Sequence, residues 1–120
     1  MDARKWNEMV NSWTEGKAES PYAELMKYQG EVNNGGHYQY FTNLEYSGVL
    51  DKELPVLKEI LPPGFRDILE KAYQAYLASE QNDDEEESEE EEAVLEQCDR
   101  YFYANEGEID KILEEYASKF

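Results

Sequence analysis

His37 is the only histidine in this chain of 120 residues, and it directly follows two glycines, Gly35 and Gly36. A lone imidazole can serve as a general base, but it needs an orienting partner and a nucleophile. No serine motif of the strand-turn-helix type accompanies it. The single cysteine, Cys98, shares a helical face with Val94, Leu95 and Phe102, where a thiol packs as a small apolar residue rather than acting as a nucleophile. Gly35-Gly36 lacks the Lys-Ser/Thr that completes a phosphate loop. One histidine and one cysteine leave little for a transition-metal site, and carboxylates this abundant carry no information by being paired. The expectation is therefore a protein that is not an enzyme and holds no cofactor and no metal. An alternative from another class is a small-molecule pocket built from Glu31, Asn34, His37 and Gln39.

Charge is the second chemical signal. Between Gln81 and Glu92 stand nine carboxylates without a base: Asp83, Asp84, Glu85, Glu86, Glu87, Glu89, Glu90, Glu91 and Glu92. The chain has 29 acids against 11 bases, a net charge of −18, so half of that charge sits in a tenth of its length. The run lacks the spaced ligands and central glycine of a calcium loop, which leaves only loose ion condensation. Two descriptions of it are open. As a mobile loop between helices, like-charge repulsion keeps it solvated and extended. As a helix, it spans about 18 Å with one carboxylate per ~2 Å, close to the one charge per ~1.7 Å of duplex DNA. A basic, DNA-reading protein would meet such a surface as it meets phosphate. Direct binding to nucleic acid or to an anionic membrane is disfavoured by sign. A basic protein partner fits better.

Helices must position these groups, because the apolar periodicity is helical almost throughout. Trp6, Met9 or Val10, and Trp13 predict a first helix over Ala3–Glu15, ended by Gly16. Ser20-Pro21 reads as an N-cap with proline at the first helical position. Tyr22, Leu25, Met26 and Val32 follow on one face until Asn33-Asn34-Gly35-Gly36 stops that helix. A short helix over Tyr38–Leu44 comes next, with Gly48 closing the turn after it. Leu50, Leu54, Leu57 and Leu61 predict a helix over Asp51–Leu61, in which Pro55 must occupy the first turn. After the break at Pro62-Pro63-Gly64, Phe65, Ile68, Leu69, Ala72, Tyr73, Tyr76 and Leu77 trace one stripe. Helices over Glu91–Tyr103 and Glu108–Lys119 complete the set, with Asn105-Glu106-Gly107 as the turn between them. The predicted architecture is one all-α domain over residues 1–120, a bundle of six or seven short helices with an acidic insertion at 81–92. No apolar stretch approaches the ~20 residues of a membrane span. No signal-peptide core follows Met1–Trp6, and one cysteine suits a reducing compartment, so a cytoplasmic protein is expected.

Two segments carry a family resemblance. The first is Glu31-Val32-Asn33-Asn34-Gly35-Gly36-His37-Tyr38-Gln39-Tyr40-Phe41-Thr42-Asn43; the second is Cys98-Asp99-Arg100-Tyr101-Phe102-Tyr103, followed by Ile109, Leu113 and Tyr116. From about Trp13 to Tyr116 the chain resembles the DNA-mimic protein 19 family of small, acidic, helical bacterial proteins. The family's namesake is a dimer that occupies the DNA-binding surface of a helix-turn-helix transcription factor. The resemblance thus implies the fold, allows a homodimer, and suggests a basic DNA-binding protein as partner. The acidic insertion reads as particular to this sequence. An immunity or antitoxin-type cover for a basic nuclease is the other binding role that fits. The motif also has a purely structural reading: Asn34, Gly35 and Gly36 reverse the chain, Gln39 ties the turn, Glu31 reaches the exposed amides of the next helix, and Tyr40 and Phe41 anchor that helix in the core.

Overall fold

The computed structural model describes residues 2–81 and 85–120, and within them the chain forms five helices and no strand: α1 Ala3–Thr14, α2 Tyr22–Tyr46, α3 Leu50–Ile60, α4 Pro63–Gln81 and α5 Glu85–Ala117. The all-α class is as expected, and the count of six or seven is corrected to five. Of the two predicted glycine breaks that fall inside elements, one is absent and the other is a kink. Asn105-Glu106-Gly107 lies inside α5, because Phe102 and Ile109 stand two helical turns apart on one face, and Ile109, Leu113 and Tyr116 continue the buried stripe of Leu95, Cys98 and Phe102. Burying that stripe outweighs the roughly 1 kcal/mol that a helix-interior glycine costs. The side chain of Asn105 bonds back to the Tyr101 carbonyl at 2.9 Å. Gly107 is exposed, has no positive φ, and an added Cβ would meet nothing within 4 Å. Gly107→Ala is therefore expected to stabilise the protein by about 1 kcal/mol; a glycine in a turn would give a loss in the same denaturation experiment.

Asn33-Asn34-Gly35-Gly36 interrupts the helix where the sequence predicts: the backbone is non-helical at Gly35 and Gly36, and α2 is two helical segments that meet there at a kink. Glycines 16 and 48 end α1 and follow α2 with positive φ, as their positions predict. Ser20 does not cap α2; the helix starts after Pro21, and the Ser20 hydroxyl bonds to the Glu24 carboxylate instead. Pro55 lies inside α3, not in its first turn. The carbonyl of Asp51 loses its helical donor there, and Asp51 is exposed to solvent.

The acidic run is helical from Glu85 onward, which corrects the expectation of a loop over 81–92; Asp83 and Asp84 lie outside the described residues. Glutamate is a good helix former, and acids at a helix N-terminus complement the positive end of its dipole. At 33 residues α5 is about 50 Å long, matching the 49 Å long axis of the molecule. It packs against α4, α2 and α1, while α2 also meets α3 and α4. Phe102 of α5 stands at the centre, edge-on to Tyr28, His37 and Phe65. No helix among the described residues is long and apolar enough to cross a membrane.

Candidate protein-binding face

The α2 kink is pinned by a residue from the far end of the chain. Asp99 Oδ1 accepts from the backbone N–H of His37 at 2.9 Å and from its ring Nδ1 at 2.6 Å. A carboxylate is thus supplied by α5 to the start of the second half of α2, where helix amides lack partners and the dipole favours negative charge. His37 is fully buried between Phe41 and Phe102, and its Nε2 lies 2.6 Å from the Tyr28 hydroxyl. With the ring proton on Nδ1, Tyr28 donates to Nε2 and every polar hydrogen of the chain Tyr28–His37–Asp99 has an acceptor. Burial pushes the Tyr28 hydroxyl well above its ordinary range.

Two further carboxylates tie α2 to itself and to α5. Glu31 accepts from Gln39 at 3.2 Å and Asn43 at 2.6 Å, bracing the kink from its outer side. Gln39 therefore bonds to a side chain rather than to the turn's backbone, and Glu31 bonds to amide side chains. Glu106 accepts from Gln29 at 2.9 Å and Asn33 at 2.6 Å, and Asp110 accepts from Gln29 at 2.8 Å. Tyr103 donates to the Val32 carbonyl at 3.0 Å. Asn34 and Gly35 face solvent, whereas Tyr40 and Phe41 are buried as expected. The motif is a structural hinge. The proposed pocket residues do not converge: His37 is inside the core, Asn34 is outside, and Glu31 and Gln39 hold each other. Among the described residues no group of three or more His, Cys, Asp and Glu is placed to hold a metal ion. Burial also pushes the Cys98 thiol up, away from the nucleophilic thiolate.

The surface that remains is acidic. Glu89, Glu92, Glu96, Asp99, Glu106 and Asp110 recur at intervals of three and four, interrupted only by Tyr103, and so form one stripe along about 32 Å of α5. Glu92, Glu96 and Asp99 line a cleft of about 500 Å³ with Tyr38, Ser79 and Leu95. Tyr38 also donates to Glu80 at 2.6 Å, a bond that raises the Tyr38 hydroxyl above its usual range, and in a neighbouring groove lined by Glu45, Tyr76 and Glu80, Tyr76 bonds to Glu45. No Lys or Arg ion pair among the described residues involves a carboxylate of α5. Among the described residues no Lys or Arg of the chain itself neutralises this stripe, and its exposed carboxylates can accept hydrogen bonds from Lys or Arg of another molecule.

The sequence-predicted contact residues are divided by the helix. Glu89 and Glu92 belong to the stripe, Glu90 is exposed elsewhere, and Glu91 borders a groove with Ala75, Ala78 and Val94. Glu85, Glu86 and Glu87 belong to α5, with their side chains outside the described residues. Glu96, Asp99, Glu106, Asp110, Tyr38 and Glu80 were not foreseen as part of the face. For the four on α5 the signal was the three-four spacing of acids along one continuous helix, which the expected turn at Gly107 concealed; Tyr38 and Glu80 come from α2 and α4, and no local pattern marks them.

This is a small acidic helical protein with a carboxylate-lined face. The family described as DMP19-like protein matches residues 17–119, and the chain belongs to that family. No curated protein and no solved structure matches it.

Proposed function

We propose that this protein is a DNA mimic, a non-enzymatic binding module whose α5 face occupies the basic DNA-reading surface of another protein, such as a helix-turn-helix transcription factor, and so regulates it. The observation that carries this reading is the unneutralised stripe from Glu89 to Asp110. Its ~32 Å length is close to one turn of B-DNA, ~34–36 Å. Its carboxylates step by about 4.5–6 Å along the helix, on a rigid support buried against α2 and α4. Family membership favours the same class of activity. Such a complex depends on exposed charge, which salt screens beyond ~8 Å at physiological ionic strength.

The test is capture of DNA-binding proteins on the immobilised protein, with duplex DNA as competitor. Retained protein should be displaced by DNA, and its affinity should fall at least about tenfold between ~50 and ~200 mM salt. Joint replacement Glu89→Gln, Glu92→Gln and Glu96→Gln should reduce capture about tenfold or more, while leaving the helical circular dichroism unchanged. Capture that resists both salt and DNA would remove the mimicry.

A further inference from the structure

A second feature lies at the lower end of the stripe, where Glu106 and Asp110 also border a groove floored by Leu113 and walled by Trp6 and Trp13 of α1. Its volume of about 270 Å³ falls below the ~300–1,000 Å³ of small-molecule sites. It is too small for a helix and large enough for one long side chain. Glu106 and Asp110 each use one carboxylate oxygen toward Gln29 or Asn33. Their other oxygens, Glu106 Oε1 and Asp110 Oδ2, accept no hydrogen bond among the described residues. Gly30 of α2 borders the same groove; it is exposed and helical, and a Cβ there would meet nothing within 4 Å. A glycine inside a helix weakens it relative to alanine, and this one keeps the backbone open beside two half-buried indoles.

We infer that this groove receives an arginine side chain of the basic partner, its guanidinium on the indole faces and its N–H groups on Glu106 and Asp110. The inference rests on the reading of the α5 face as the docking surface for a basic protein. Arginine fits better than lysine because a planar guanidinium stacks on indole and bonds two carboxylates at once, whereas an ammonium is a compact, strongly hydrated charge. At this groove an arginine is favoured over a segment of a second copy, because the carboxylates of Glu106 and Asp110 call for a cation and the chain carries 29 acids against 11 bases.

Trp6 and Trp13 are the only two tryptophans in the protein, so intrinsic fluorescence reports on this groove. The probes are acetylated, amidated alanine-based peptides carrying an Arg-Leu-Arg, a Lys-Leu-Lys or a Glu-Leu-Glu segment. The Arg peptide should change tryptophan emission saturably, the Lys peptide should require about tenfold more, and the Glu peptide should have no effect. Gly30→Ala should raise the melting temperature by about 3–5 °C and weaken the Arg peptide about tenfold through the added methyl. An Arg peptide that leaves emission unchanged, or binds Gly30→Ala as well as the parent, overturns the arginine site. Emission that changes on dilution of the protein alone, and no longer does so in Gly30→Ala, assigns the groove to a second copy and likewise overturns it. The Glu89, Glu92 and Glu96 replacements lie outside the groove, so DNA-competed capture can survive the loss of this site or fail without it.

Discussion

Gly36→Ala is expected to destabilise the protein by about 3–5 kcal/mol, the sum of a backbone term and a contact term. The backbone at Gly36 has φ +79° and ψ −178°, a region essentially reserved for glycine, where another residue costs about 1–3 kcal/mol. An alanine Cβ would also stand 2.5 Å from Asp99 Oδ2. The carboxylate would have to leave the His37 N–H and Nδ1–H, and hydrogen bonds to charged groups are worth about 1.5–3 kcal/mol. Against a total stability of ~5–15 kcal/mol this is a large fraction, and the melting temperature should fall by about 10–20 °C. Gly35→Ala is the control. Its φ of −157° lies outside the left-handed region that favours glycine, and the atoms its Cβ would meet belong to the flexible Gln39 side chain. That change should cost about 1 kcal/mol, the worth of the Gln39–Glu31 bond. Equal losses at the two glycines in thermal and urea unfolding would show that Asp99 does not hold the kink.

Alkaline pH should unfold the protein cooperatively. Tyr28 is held protonated well above its ordinary value of 10.0 by burial first, with Tyr40 and neighbouring charges adding to it. Tyr40 is raised by burial first and then by Glu53, Glu24 and Glu31, and its hydroxyl has no hydrogen-bond partner among the described residues. In both, the folded pKa lies above the unfolded one. The folded state therefore binds more protons than the unfolded state above pH ~10, and stability falls as pH rises. A group that stays protonated in the fold while it ionises in the unfolded chain removes about 1.4 kcal/mol per pH unit above pH ~10, and both tyrosines act in that direction. Tyr76, raised by burial and then by its bond to Glu45, and Tyr38, raised first by its bond to Glu80, act in the same direction. The check is to follow tyrosinate absorbance and helical circular dichroism together. Tyrosinate from the buried Tyr28 and Tyr40 should appear only together with the loss of helix. Ionisation of all ten tyrosines in one wave near pH 10 with the helices unchanged would contradict this burial.

The stripe Phe65, Leu69, Ala72 and Tyr76 was legible in the sequence, because helix packing demands apolar residues at a helical period and nothing else in those segments competes. Gly107 misled, since a glycine two residues after an asparagine carries a turn signal that only the continuing register from Phe102 to Ile109 overrides. The same register would have joined the acidic run to α5. Cys98 reads correctly as a core residue for the same reason of period. Asp99 does not. It occupies the position next to the buried cysteine, and no local pattern says that its carboxylate leaves its own helix.

What the amino-acid order determined by itself is therefore local: the helical class, the apolar faces, the two-glycine break, the excess of negative charge and the family to which the chain belongs. What only the tertiary structure decided is where that charge and that break meet. Asp99 reaches His37 across 62 positions of sequence, Glu106 reaches Asn33 across 73, and the acidic run is split between faces by the helix that carries it. Periodicity specifies which side of a helix is buried. It does not specify which other helix arrives there, and hydrogen bonds between helices depend on that second choice.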